Sequence, residues 1–178
     1  PSMAVPTSLR GSLAPYDSFP LQRLLHDAAR RLPDKVAVID GDRRFTYAQL
    51  DESSDRFAAA LATLGVAKGD RVGVLTPNCV EFEIAFFGII KAGAVATTVN
   101  SGYREREIAH QLGNAGVEVL VAHHLLVQMA ESARGEVPSL KRLVAIEEGA
   151  PEPESFWGLI EASPASAPHV PLDPKEDL

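Results

Sequence analysis

The stretch RVGVLTPNCVEFEIAFFGIIKAGAVATTVN, residues 71–100, decides the fold. It contains an apolar run at residues 72–75, then a helical pattern, then a second apolar run at residues 94–99. Short apolar runs of this kind are typical of strands buried on both faces, and an intervening helix is the usual connection between parallel strands. The stretch therefore predicts a β-α-β unit whose helix has a capped start at Pro77-Asn78, with Glu81 as part of the cap.

The alternation of strands and helices continues after this unit. Helices are predicted at residues 104–112 and 125–134, strands at 117–121 and 143–146, and a short helical turn at 156–160. The order β-α-β-α-β predicts an α/β fold with a layered, mainly parallel sheet and flanking helices, because crossovers of this length join parallel strands.

The residues before the unit predict two helices and a hairpin. Helical spacing runs from Leu21 to Leu32, and two short strands flank the turn at residues 40–42. Thr46 and Gln49 have the spacing of a capping box, which predicts the start of a helix that ends at Gly65.

Three regions are predicted along the chain. Residues 1–18 read as an irregular lead-in that includes a cloning remnant, residues 19–162 as an α/β subdomain, and residues 163–178 as a linker rich in serine and proline. No helix or strand is predicted at the charged end, residues 173–178, and we therefore expect the chain to be truncated there.

Composition excludes several classes of protein. The chain has 24 acidic and 17 basic residues and a net charge of −7, which argues against a nucleic-acid footprint. Its single cysteine excludes an internal disulfide framework and favours a reducing, cytoplasmic setting. No apolar run reaches the length of a membrane span, and the N-terminal residues lack the pattern of a secretory signal.

The sequence contains no glycine-rich phosphate loop of the dinucleotide-binding or Walker type. Lys68-Gly69-Asp70 lies between a helix end and a strand, where a solvated turn is expected rather than a phosphate contact. The five histidines show no spacing typical of metal ligands, and the side chains of His123 and His124 are expected to diverge at the exit of a strand.

Four other features invite chemical interpretations that the sequence does not support. Cys79 falls in a first helical turn, which could lower its pKa, but no histidine partner is evident and a packing role is favoured. Glu81 and Glu83 cannot face one another on a helix, so Glu81 is interpreted as a cap. The alternating charges of residues 104–107 indicate a solvated face, and the Phe82, Phe86 and Ile89 stripe indicates core. We therefore assign no catalytic, cofactor-binding or metal-binding residue.

Several segments, taken together over about residues 19–178, resemble the adenylate-forming superfamily of acyl-CoA synthetases, 4-coumarate-CoA ligases, luciferases and nonribosomal adenylation domains. The segments that carry the resemblance are PDKVAV at 33–38, FTYAQL at 45–50, GVAKGDRVGV at 65–74, PN with E at 77–81, IKAGAV at 90–95, Asn100, and EI with QL at 107–112. Ser101-Gly102 departs from the proline that is often found after the asparagine.

The resemblance implies an enzyme that joins a carboxylic acid to ATP as an acyl-adenylate and then transfers the acyl group to coenzyme A. ATP, Mg²⁺ and coenzyme A are implied for the full-length enzyme. None is expected in this fragment, because the phosphate loop of the family would begin a few residues after Leu178 and no activity is expected without it.

A fatty acid is the first substrate that the resemblance suggests, and an aryl acid of the coumarate type is the second, because residues 103–112 are similar to that branch. The alternative is a non-catalytic α/β interaction module. A truncated chain is also expected to self-associate through exposed apolar surface.

Overall fold

The computed structural model describes residues 19–146 and 154–173. The helices are α1 (Arg23–Arg31), α2 (Tyr47–Thr63), α3 (Val80–Lys91), α4 (Glu105–Ala115), α5 (Val127–Arg134) and α6 (Phe156–Ala162). The strands are β1 (Val36–Asp40), β2 (Arg43–Thr46), β3 (Arg71–Leu75), β4 (Val95–Thr98), β5 (Val119–His123), β6 (Arg142–Ile146) and β7 (Glu154–Ser155). A 3-10 turn, His124–Leu126, precedes α5.

A five-stranded sheet with the order β4-β3-β5-β6-β7 forms the centre of the fold. All of its strand pairs are parallel, and in β3 Val72 lies between Ala96 of β4 and Val119 of β5. The predicted parallel α/β sheet is thereby confirmed. Strands β1 and β2 form a separate antiparallel hairpin, and β7 is a short edge strand that the sequence pattern did not indicate.

Helices cover both faces of the sheet and bury two apolar clusters. Val72 and Val74 of β3 face the cluster that contains α2, α3 and α6, whereas Leu75 faces the cluster that contains α4 and α5. Parallel strands buried on both faces need continuous apolar sequence, which explains the runs that made the strands recognisable.

Helix α2 begins where the sequence predicted. The Thr46 hydroxyl accepts a hydrogen bond from the Gln49 N–H at 3.2 Å, and the Gln49 side chain accepts one from the Thr46 N–H at 2.9 Å. The predicted capping box is thus confirmed. The helix packs against α3, where a Cβ atom on Gly88 would lie 2.7 Å from Cδ1 of Phe57. The two helices are therefore too close for a side chain at that position.

The start of helix α3 differs from the prediction. Its N-cap is Cys79, whose side chain makes no capping hydrogen bond. The first N–H of the helix, that of Val80, is instead bound by Asp40 of the hairpin at 3.1 Å. The interpretation of Glu81 as a cap was wrong, because a carboxylate from a distant part of the sequence takes that role.

The structure leaves some of the sequence-based divisions untested. The predicted lead-in, residues 1–18, and the last residues of the predicted linker, 174–178, lie outside the described residues. Within the described ranges no helix is long and apolar enough to cross a membrane.

Candidate functional site

The carboxyl-terminal ends of β3 and β5 mark the place where a site is expected. From β3 the chain goes to β4 on one side of the sheet, and from β4 it crosses to β5 on the other side. Ligands of open α/β sheets bind at such a switch point. Here it is bordered by Thr76 after β3, the start of α3, and His123 at the end of β5.

The hairpin closes over this edge through charged contacts. Arg43 donates from Nη1 to Glu81 Oε1 at 2.6 Å and from Nη2 to Glu81 Oε2 at 3.2 Å, and it also pairs with Asp40. The Glu81 side chain is only 4% exposed. Asp40 completes the contact by binding the Val80 N–H. We call Asp40, Arg43 and Glu81 the hairpin ion cluster.

The protonation states of the hairpin ion cluster are fixed by its own contacts. The hydrogen bond from the Val80 N–H, with help from Arg43, holds the pKa of Asp40 below its ordinary value. Burial raises the pKa of Glu81, but the hydrogen bond and charge of Arg43 outweigh burial and the net pKa is lowered. Glu81 in turn raises the pKa of Arg43. These groups stay charged near neutral pH, so they are unsuited to proton transfer.

Cys79 is the nucleophile closest in sequence to this cluster, and its environment does not activate it. Burial raises the pKa of the half-buried thiol, and the neighbouring Glu81 carboxylate raises it further. The helix start does favour the thiolate, through the Phe82 backbone N–H, but desolvation and a like charge outweigh it, so the expectation of a lowered net pKa was wrong. The favoured reading of Cys79 as a packing residue agrees with this environment.

His123 and His124 lie together rather than apart. Their ring centroids are 4.1 Å from each other, so the expected divergence of the two side chains was wrong. The 3-10 turn that begins at His124 ends the strict alternation of side chains that the prediction assumed. Burial, followed by the neighbouring His124, lowers the pKa of His123, which favours a neutral imidazole.

The structure brings no metal site together in the parts it describes, residues 19–146 and 154–173, where no group of three or more histidine, cysteine, aspartate or glutamate residues could hold an ion. His26 lies 3.2 Å from an Asp51 carboxylate oxygen, and His110 lies 3.1 Å from the Asn114 amide. Both histidines therefore make polar contacts with neighbouring side chains.

A second buried ionic cluster joins α2 to α3. The Lys91 ammonium lies 2.6 Å from a carboxylate oxygen of Asp51 and 2.6 Å from one of Asp55, and it donates to the Ser54 hydroxyl at 2.8 Å. The Lys91 side chain is 6% exposed, so this pairing is required to keep a charge there. Sequence reasoning missed the cluster; the only signal was a lysine at the end of the apolar segment of α3.

At the switch point, Asp40, Arg43 and Glu81 bind the hairpin to the start of α3. Comparison with known proteins places this geometry in a family. The model of the family described as AMP-binding enzyme matches residues 25–178. The chain belongs to the AMP-binding enzyme family.

Relatives in this family have names that specify different acids. It is 35% identical over 148 residues to a medium/long-chain-fatty-acid--CoA/3-oxocholest-4-en-26-oate--CoA ligase of Mycobacterium marinum, covering 83% of the chain and 27% of the relative. It is also 35% identical to the salicyl-AMP ligase / salicyl-S-ArCP synthetase of Mycobacterium tuberculosis, covering 86% of the chain and 29% of the relative.

Solved structures of the family share the fold. The apo structure of MbtA from Mycobacterium smegmatis superposes with a TM-score of 0.83 at 35% identity, over 90% of this chain and 30% of that one. The chain thus spans less than a third of the length of these relatives.

Proposed function

We propose that this chain is the N-terminal segment of an AMP-forming acid–CoA ligase and that it is inactive by itself. The observation that carries the proposal is the family match over residues 25–178. In the whole enzyme a carboxylate attacks the α-phosphate of ATP, releasing pyrophosphate and forming an acyl-adenylate. The thiol of coenzyme A then attacks the adenylate and releases AMP.

The inactivity of the segment is supported by its own residues. The sequence lacks a phosphate loop of the dinucleotide-binding or Walker type, and the described residues lack a metal-ligand cluster. At the switch point, Asp40, Arg43 and Glu81 are committed to ion pairs, and burial raises the pKa of the Cys79 thiol. We therefore assign the segment a scaffold role with no catalytic, cofactor-binding or metal-binding residue, and we assign ATP, Mg²⁺ and coenzyme A to the whole enzyme.

The first choice of substrate is a fatty acid. Support comes from the fatty-acid–CoA ligase relatives from Mycobacterium marinum and Bacillus subtilis, which are both 35% identical to the matched part of the chain. An aryl acid is the second choice, because the salicyl-AMP ligase relative is equally identical and residues 103–112 are similar to the coumarate branch. A cytoplasmic setting stays a prediction from the single cysteine, and the three-region division of the chain stays a prediction as well.

Carboxylate-dependent exchange of labelled pyrophosphate into ATP tests the proposal. The assay is run on this chain and on the product of any longer reading frame that contains it, with fatty and aryl acids in parallel. Exchange in the longer protein alone supports the proposal and identifies the acid. Any exchange catalysed by this chain without the longer protein would contradict its assignment as an inactive scaffold. Exchange in neither protein would favour the non-catalytic interaction module.

A further inference from the structure

Residues 163–173 follow α6 without forming a helix or strand, and they contact the body of the domain at Ser163, Ala167, Val170 and Pro171. Arg56 of α2 donates from Nη1 to the Ser163 carbonyl at 2.7 Å, which fixes the beginning of the segment. Ala167 packs against the buried cluster between the sheet and α2. We call residues 163–173 the strap.

Gly93 provides the closest approach of the strap to the sheet. It lies in the turn between α3 and β4 with φ of +75°, and a Cβ atom there would be 2.6 Å from Cγ1 of Val170. Only glycine leaves room for the Val170 side chain while it also adopts this backbone conformation. The turn before the edge strand β4 is thus shaped to receive the strap.

Lys68 binds the strap beside Gly93. Its ammonium donates to the Pro171 carbonyl at 2.9 Å, and its Cγ lies 3.4 Å from the position of a Gly93 Cβ atom. The backbone closes the same corner, since the Gly69 N–H donates to the Gly93 carbonyl at 2.9 Å. Lys68-Gly69-Asp70 was expected to be a solvated turn, and here its lysine holds a segment more than 100 residues away in sequence.

We propose that Lys68 and Gly93 are positioning residues that anchor the strap at the amino-terminal ends of β3 and β4 and so fix where the chain leaves this domain. Their effect on catalysis rests on the proposed function, in which the chain after the strap leads into the phosphate loop. Neither residue touches substrate. They act through the strap, by limiting the positions from which the following segment can reach ATP.

The anchor is tested by NMR on this chain with ¹³C-labelled valine methyl groups. We expect a nuclear Overhauser effect between a Val170 methyl group and the Gly93 α protons. Gly93→Ala is expected to displace that methyl group, because the added Cβ atom would lie too close to it. Lys68→Met is expected to lower the order parameter of the methyl group, because the hydrogen bond to the Pro171 carbonyl is lost. Absence of the effect in the wild type, or an unchanged Val170 methyl in both variants, would overturn the anchor.

Two matched controls distinguish loss of the strap contacts from backbone strain and from loss of a lysine charge. Gly65 has φ of +88° with no atom within 4 Å of a Cβ position, so Gly65→Ala adds strain without touching the strap. Lys141 bonds Glu118 rather than the strap, so Lys141→Met removes a lysine elsewhere. Both controls are expected to leave the Val170 methyl signal in place. Adding Val170→Ala to Gly93→Ala is expected to reduce the displacement of the strap.

Catalytic positioning is tested by pyrophosphate exchange in the longer gene product. Lys68→Met and Gly93→Ala should lower its turnover about 10-fold while the KM for the carboxylic acid stays unchanged, because the acid pocket is intact and the phosphate loop is misplaced. Unchanged turnover, or a loss shared by the Gly65→Ala control, would overturn the positioning role. An inactive wild-type protein would remove the proposed function and the positioning role together, whereas the NMR result decides the anchor independently.

Discussion

At the residue scale, Arg43 and Glu81 form an ion pair whose two partners differ in their access to water. The Glu81 side chain is 4% exposed and that of Arg43 is 47% exposed. A charge that loses its partner is tolerated where water can replace the partner and is costly where water cannot. The two halves of one ion pair are therefore expected to respond unequally to mutation.

Arg43→Met should lower the free energy of unfolding by about 2 kcal/mol, because it strands the buried Glu81 carboxylate. Glu81→Gln should cost about 1 kcal/mol, since the half-exposed guanidinium can be hydrated and the amide can still accept a hydrogen bond. Urea unfolding measures both, with Arg44→Met on the same strand as the control. Equal losses of unfolding free energy in the two variants would show that water can reach the Glu81 carboxylate when Arg43 is absent.

The same pair predicts a pH dependence. The pKa of Glu81 in the folded state lies below its ordinary value of 4.5, so the folded state binds fewer protons than the unfolded state in that range. The stability contributed by Glu81 is fully present above about pH 4.5 and is lost as the pH falls through its lowered pKa.

Urea unfolding between pH 7 and pH 3 should show a steeper loss of stability in the wild type than in Glu81→Gln, since the variant has no proton to bind at that position. Asp40, whose pKa is also lowered, contributes in the same direction in both proteins. Parallel curves for the two proteins would contradict the assignment to Glu81.

Local patterns predicted the residues whose partners are close in sequence. Thr46 and Gln49 are three positions apart, and their reciprocal hydrogen bonds were predicted correctly. Glu81 finds its partner 38 positions away and Lys91 finds Asp51 40 positions away, so no local spacing marks either contact.

At the element scale, two helical glycines with opposite surroundings test how closely α2 and α3 pack. A Cβ atom on Gly88 of α3 would be 2.7 Å from a ring carbon of Phe57 and 3.1 Å from the Ser54 carbonyl oxygen. A Cβ atom on Gly113 of α4 would meet nothing within 4 Å.

Gly88→Ala should therefore destabilise the protein by about 2 kcal/mol, because the added methyl group forces two packed helices apart. Gly113→Ala should stabilise it by about 0.5 to 1 kcal/mol, because alanine loses less backbone entropy in a helix. Thermal and urea unfolding of both variants provide the comparison. A Gly88→Ala variant as stable as the wild type would show that the helix contact is looser than the structure describes.

Helices and strands were predicted correctly where the apolar periodicity of a segment and its length indicated the same element type. The strands β3, β4 and β6 and the helices α2 and α3 follow the predicted segments closely, and β5 begins two residues later than expected, at Val119. The two-residue β7 escaped prediction, since Glu154–Ser155 has no apolar pattern and is a strand only through pairing with β6.

At the scale of the whole molecule, the surface carries large apolar side chains that are exposed to solvent. Leu125 is 75% exposed and Ile39 is 60% exposed. Leu125 follows β5, and Ile39 precedes the hairpin turn that docks on α3, so both lie toward the carboxyl-terminal side of the sheet. The relatives have more than three times the length of this chain, which gives them additional chain to pack on such a surface.

We therefore predict that the chain self-associates when it is produced alone, because exposed apolar side chains lower their free energy by packing together. Light scattering over a range of concentrations should show a mass that rises above the 19.1 kDa of the monomer. Replacing Leu125 and Ile39 together by glutamine and threonine should shift the mass toward the monomer, while Lys141→Met should not. A wild-type mass that stays monomeric at every concentration would show that this surface is adequately solvated without the rest of an enzyme.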